Sequence, residues 1–87
     1  MYDFTMTQAV SEQIKKDPWF SAFVTRSLAK FIKGDWGQTH SDDVKLNDQS
    51  LKTKEGQIVA KYVDSRGTEI FITKDSEATT VLFPQEY

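Results

Sequence analysis

Residues 17–36 constrain this chain more than any other stretch, because they hold a start signal, a stop signal and a one-sided apolar pattern between them. Asp17 can accept hydrogen bonds from the free N–H groups of a first helical turn, and Pro18 fits the first helical position, where a donor is not needed. Trp19, Phe20, Phe23, Val24, Leu28, Phe31 and Ile32 recur at spacings of three and four, which predicts a single apolar face. Arg26, Lys30 and Lys33 fall on the other side of the repeat. Gly34 supplies the left-handed residue that commonly ends a helix, and the two lysines before it suit the negative end of the helix dipole.

A chain of 87 residues makes one domain, 1–87. At that size it buries only roughly 60 to 65% of its unfolded surface. Aromatic residues make up 13% of it, so a few rings must fill much of the core, and Trp19, Phe20, Phe23, Phe31, Phe71 and Phe83 are the expected ones. A net charge of -2 opposes general attraction to phosphate backbones. The absence of cysteine excludes disulfides and thiolate sites. No apolar run approaches the roughly 18 residues that span a bilayer, and no secretory signal opens the chain. The expectation is a soluble, cytoplasmic protein with no membrane association.

Around the central helix, Tyr2, Phe4 and Met6 alternate, as a short strand or an arm lying on the core would. Thr7 can cap a short helix from Gln8 to about Lys16 with Ala9, Val10 and Ile14 as its apolar stripe, and Pro18 forces Asp17 to be a joint. Beyond the turn, Ser41 or Thr39 can cap a third helix that covers the core with Val44 and Leu51 and turns Lys45, Asp48, Gln49 and Lys52 to water. After Gly56 the period changes to two over residues 57–64 and 68–74, and 79–83 is rich in β-branched residues before Pro84. The predicted class is α+β, with N-terminal helices (about 7–55) packed on a three-stranded antiparallel β-meander (about 57–84). The edges of such a sheet could pair between two copies.

The chemical inventory is short: one histidine, no Gly-rich phosphate loop and no Gly-x-Ser-x-Gly elbow, so no enzymatic activity is expected. A serine-based site would need His40 as base with Asp42 or Asp43 to orient it. His40, Asp43 and Asn47 are spaced three and four apart, on one helical face, and Asp35 precedes them in the turn. Asp35, His40 and Asp43 are thus candidate ligands for zinc or another divalent ion; the simpler reading is a solvated histidine followed by two acids at a helix start. Arg26, Lys30 and Lys33, with Lys15 and Lys16 as a possible extension, could receive a carboxylate-rich protein surface or phosphates, or could be only the wet side of a helix. Trp36 between two glycines is either a core plug or an exposed anchor, and with the basic row it makes the candidate partner-binding set.

Gly34-Asp35-Trp36-Gly37, Asn47 at its distance from them, Gly56, and the ending Thr79-Thr80-Val81-Leu82-Phe83-Pro84-Gln85-Glu86-Tyr87 together resemble a family of small proteins carried by plasmids, integrative elements and phages. The likeness covers about two-thirds of the chain, from the second helix to the C-terminus. Members of that family often carry histidine where this chain has Phe31, cysteine where it has His40 and arginine where it has Ser76. An exchange of cysteine for histidine is one that a metal ligand tolerates. A small acidic protein of a mobile element is similar to the inhibitors that phages direct at host defences, anti-CRISPR proteins among them. That resemblance implies a protein that binds a host Cas nuclease and blocks DNA loading or cleavage. The alternatives are a nucleic-acid-associated accessory or regulatory protein of the element, a small metal-binding interaction module, and a metal-dependent hydrolase.

Overall fold

The computed structural model describes residues 4–53, 56–75 and 78–87. The elements run β1 (Thr5–Met6), α1 (Gln8–Lys16), α2 (Pro18–Ile32), α3 (Ser41–Thr53), β2 (Ile58–Val63), β3 (Glu69–Lys74), β4 (Thr79–Leu82) and a closing 3-10 turn (Pro84–Glu86). Tyr2, the expected run of the third helix to residue 55 and the middle of the turn before β4 lie outside the described residues.

The class is α+β, as expected, but the sheet is mixed and four-stranded, in the order β1-β4-β3-β2. The antiparallel meander of β2, β3 and β4 is there, and β1 adds to it in parallel, with Thr5 opposite Thr80 and Met6 opposite Val81. A two-residue strand is too short to show a period, so its pairing was not legible. The Thr7 N–H donates to the Val81 carbonyl at 3.1 Å, and the Thr5 and Thr80 hydroxyls share a hydrogen bond. Glu86 draws the chain ends together, its Oε1 accepting from the Thr7 hydroxyl and the Phe83 N–H, both at 2.8 Å.

Asp17 ends one helix and starts the next. Its N–H donates to the Gln13 carbonyl, while its Oδ1 accepts from the N–H groups of Trp19 and Phe20 at 3.0 and 3.2 Å. At the other end of α2, Gly34 takes a positive φ of 81°. The Asp35 N–H then reaches the Lys30 carbonyl and the Gly34 N–H the Phe31 carbonyl, the paired closure that satisfies the last carbonyls of a helix.

One cluster joins Phe20, Phe23, Val24, Leu28 and Phe31 of α2 to Ile58, Ala60 and Tyr62 of β2, Ile70 and Ile72 of β3, and Val81 of β4, with Val10 and Trp36 completing it. Trp19 and Ile32, expected in this core, are instead 70% and 54% exposed. At 100° per residue the seven apolar positions of α2 span about 220° of arc, and a sheet covers only the middle of such an arc. Trp19 and Ile32 are its two extremes. Phe71 and Phe83, also expected in the core, are half-buried; Phe71 lies tilted against Tyr87 on the outer sheet face, and Phe83 stacks on Phe20.

The third helix departs most from its expected packing. Leu46 and Leu51 are exposed and only Val44 reaches the core, while Asn47 is 2% exposed. Helix α3 lies along the edge of β2, and an edge strand presents backbone N–H and C=O groups. An amide satisfies those groups where a leucine would strand them.

Candidate binding surface

The first ingredient is the flank of α2. Phe23, Arg26, Ser27 and Lys30 follow one another at i, i+3, i+4 and i+7, so they form a single strip along the helix. Arg26 and Lys30 therefore adjoin the Phe23 edge of the buried arc rather than stand opposite it. This strip faces the C-terminal end of β2 across a cleft of about 210 Å³, whose far wall is Gln38, Tyr62, Val63, Asp64 and Ser65. Among the described residues neither Arg26 nor Lys30 makes an ion pair.

The second ingredient is the turn after α2, which works as a substitute strand. The Gln38 N–H donates to the Lys61 carbonyl at 2.9 Å, the Lys61 N–H to the Thr39 hydroxyl at 2.8 Å and the Val63 N–H to Gln38 Oε1 at 3.0 Å. The Thr39 hydroxyl in turn donates to the Trp36 carbonyl. Asn47 completes the edge at Val59. The free side of β2 is thus paired with loop and side-chain groups along its length, which removes it as an edge for pairing with a second copy.

The third ingredient closes the N-terminal end of the strip. Trp19 lies outside the core with the Arg66 guanidinium 5.8 Å from its ring centroid. Arg66 also pairs with Asp17 at 3.4 Å and lies 3.8 Å from Asp64. The Phe20 N–H bonded to Asp17, followed by the Arg66 charge, holds the Asp17 carboxyl below the ordinary aspartate value. Asp64 is turned into its own loop, accepting from the N–H groups of Arg66 and Thr68 at 2.8 and 2.9 Å.

The expected partner-binding set is divided by the fold. Arg26 and Lys30 line the cleft, and Lys33 caps the C-terminus of α2 outside it. Trp36 is 4% exposed, edge-on to Phe31, with its indole N–H donating to Asp48 at 2.8 Å. It is the core plug, and Trp19 is the tryptophan left exposed. Nothing in the periodicity separates these two tryptophans; the flanking glycines of Trp36 were the available signal.

The three expected metal ligands do not converge: among the described residues no three His, Cys, Asp or Glu side chains come together as an ion would require. Asp35 uses Oδ1 to accept from the Gly37 N–H at 3.0 Å. His40, rather than Ser41 or Thr39, caps α3, its Nδ1 accepting from the Asp42 N–H at 3.2 Å and its carbonyl from the Val44 N–H. Asp43 is exposed on the first turn, and Asn47, placed by its spacing on the same face, is buried at the sheet edge.

No family model matches this sequence, and no curated protein or solved structure matches it. Among the described residues no helix is long and apolar enough to cross a membrane. Ser27, Gln38, Trp19 and Arg66 are the residues of this surface that sequence reasoning did not select. Ser27 was hidden by being polar inside an apolar arc, Gln38 by lying in the turn just after α2, outside any periodic pattern, and Arg66 by lying in a loop remote from α2 in the chain.

Proposed function

We propose that this protein acts by binding, as a mobile-element inhibitor of a host RNA-guided nuclease, and that the strip from Trp19 to Lys30 is the surface it presents. The observation that carries this reading is Arg26 and Lys30 beside a cleft, with no ion pair to any of the described residues, on the same helix flank as an exposed tryptophan with an arginine over its ring. Tryptophan and arginine are the residue types that most often carry binding energy at protein interfaces. Residues 19 and 30 stand about 16 Å apart along the axis at 1.5 Å per residue, enough to seat several side chains of a partner. The choice of partner class comes from the resemblance of residues 34–37 and 79–87 to mobile-element proteins. The net charge of -2 favours a protein surface over nucleic acid as the direct contact.

Cleavage assays with a panel of guide-loaded Cas nucleases test this directly. Near-stoichiometric protein should abolish cleavage by at least one of them, and the substitutions Trp19→Ala and Lys30→Glu should each raise the concentration required by about tenfold or more. A salt-dependent shift of naked DNA or RNA together with no effect on any nuclease would replace this reading with that of a nucleic-acid accessory protein.

A further inference from the structure

The geometry points to the cleft between α2 and the end of β2 as a carboxylate-receiving pocket, one that takes the side chain of an aspartate or glutamate from a protein partner. This deepens the binding reading above and rests on it for the identity of the partner, though not for the chemistry of the pocket.

Every polar group on the α2 side of the cleft is a donor, or can be one. Arg26 brings a planar fork that matches a carboxylate with two parallel hydrogen bonds, and Lys30, one turn on, brings a second positive charge. Ser27 lies between them and is only 2% exposed. Among the described residues no fully buried side-chain polar atom lacks a partner, yet the Ser27 hydroxyl makes no hydrogen bond to any of them, so that hydroxyl is reached from the cleft. A hydroxyl held there without a partner among the described residues is open to one from outside. Across the cleft, Gln38 has its Oε1 committed to the Val63 N–H, which leaves its two amide N–H donors for an acceptor. Ser65 adds another hydroxyl. Asp64, the one anion among the described residues of the wall, is engaged by two backbone N–H groups and lies near the Arg66 guanidinium, and its side chain is 6% exposed.

Size and charge choose among anions. A space of about 210 Å³ falls below the range of about 300–1,000 Å³ usual for small-molecule and cofactor sites, and suits one side chain or one small anion. Two cations on a chain of net charge -2 make a local patch, too short to follow the regularly spaced charges of a nucleic-acid backbone.

Amide NMR spectra of the full chain, titrated with acetylated tetraglutamate, its tetraglutamine counterpart, inorganic phosphate and a short single-stranded DNA, test the inference. The glutamate peptide should move the signals of Arg26, Ser27, Lys30, Gln38 and Ser65 saturably, and the glutamine peptide should leave them in place. The double variant Arg26→Gln/Lys30→Gln, which changes only exposed side chains, should keep its melting temperature and weaken binding by about tenfold or more. Ser27→Ala should weaken it severalfold. Equal response to the two peptides, retention of the response in the double variant, or tighter binding of phosphate or DNA at the same residues would each overturn the assignment. The nuclease assay separates the two levels. Inhibition that survives in the double variant refutes the pocket as the contact and leaves the function standing, whereas glutamate binding without inhibition of any nuclease leaves the pocket standing and refutes the function.

Discussion

Asn47 of α3 holds Val59 of β2 by both ends of its amide, Nδ2 donating to the Val59 carbonyl at 2.8 Å and Oδ1 accepting from the Val59 N–H at 3.1 Å. One side chain thereby does the work of a neighbouring strand. Replacing it by alanine removes two hydrogen bonds and leaves part-buried backbone groups unpaired, a loss of about 2–3 kcal/mol in urea denaturation. Asn47→Asp should also be destabilising, because a carboxylate cannot donate to the carbonyl. Hydrogen exchange at Val59 should accelerate in both, and unchanged exchange there would show that the amide is not what guards this edge.

Two glycines with positive φ provide a matched comparison. Gly37 has φ 61°, and a β-carbon there would sit 2.5 Å from the Tyr62 ring and 2.9 Å from the Lys61 carbonyl; Gly67 has φ 82° with nothing within 4 Å. Gly67→Ala therefore bears backbone strain alone, about 1 kcal/mol, while Gly37→Ala adds a clash that must push the substitute strand off β2 and should cost about 3 kcal/mol or more. Thermal melts of the two variants check the order, and equal losses would refute this account of the 34–39 segment.

The tryptophans should be separable by fluorescence. Trp36 is buried and Trp19 exposed, so Trp19→Phe should leave a blue-shifted emission and Trp36→Phe a red-shifted one. Trp36→Phe also forfeits the hydrogen bond to Asp48 and some core volume, with an expected cost of about 2 kcal/mol, whereas Trp19→Phe should be close to neutral.

Acid should weaken the α1–α2 joint in a defined direction. The folded state holds Asp17 below its ordinary value, chiefly through the Phe20 N–H and then Arg66, so its charged form stabilises the fold fully above the unfolded value. That contribution is lost as pH falls through the depressed folded value. Asp17→Asn keeps a cap acceptor but no charge, so wild type should be the more stable at about pH 7 and the gap should narrow as pH falls below the ordinary aspartate value. A gap that widened in acid would contradict the assignment.

What could be read in advance follows from how local the cause is. Asp17, Pro18 and Gly34 act on backbone groups within one turn, so both ends of α2 were legible, as were Ile58, Ala60, Tyr62, Ile70 and Ile72 on one side of an alternating pattern. Arg26 and Lys30 stand out in the sequence as a row, but their relation to the cleft does not, because the opposite wall comes from Gln38, from the end of β2 and from the turn after it.

By itself, then, the order of residues determined where α1 and α2 begin and end, the α+β class and the Phe20, Phe23 and Phe31 part of the core, since caps, proline, glycine and periodicity work between near neighbours. The tertiary structure alone decided that Trp19 would stand outside the core, that a polar Asn47 would be the most enclosed residue of α3, and that Gln38 would face Arg26 across a cleft. Those outcomes depend on how much of an apolar arc the sheet can cover and on which side chains reach the unpaired backbone of β2. Both are set only when distant segments meet.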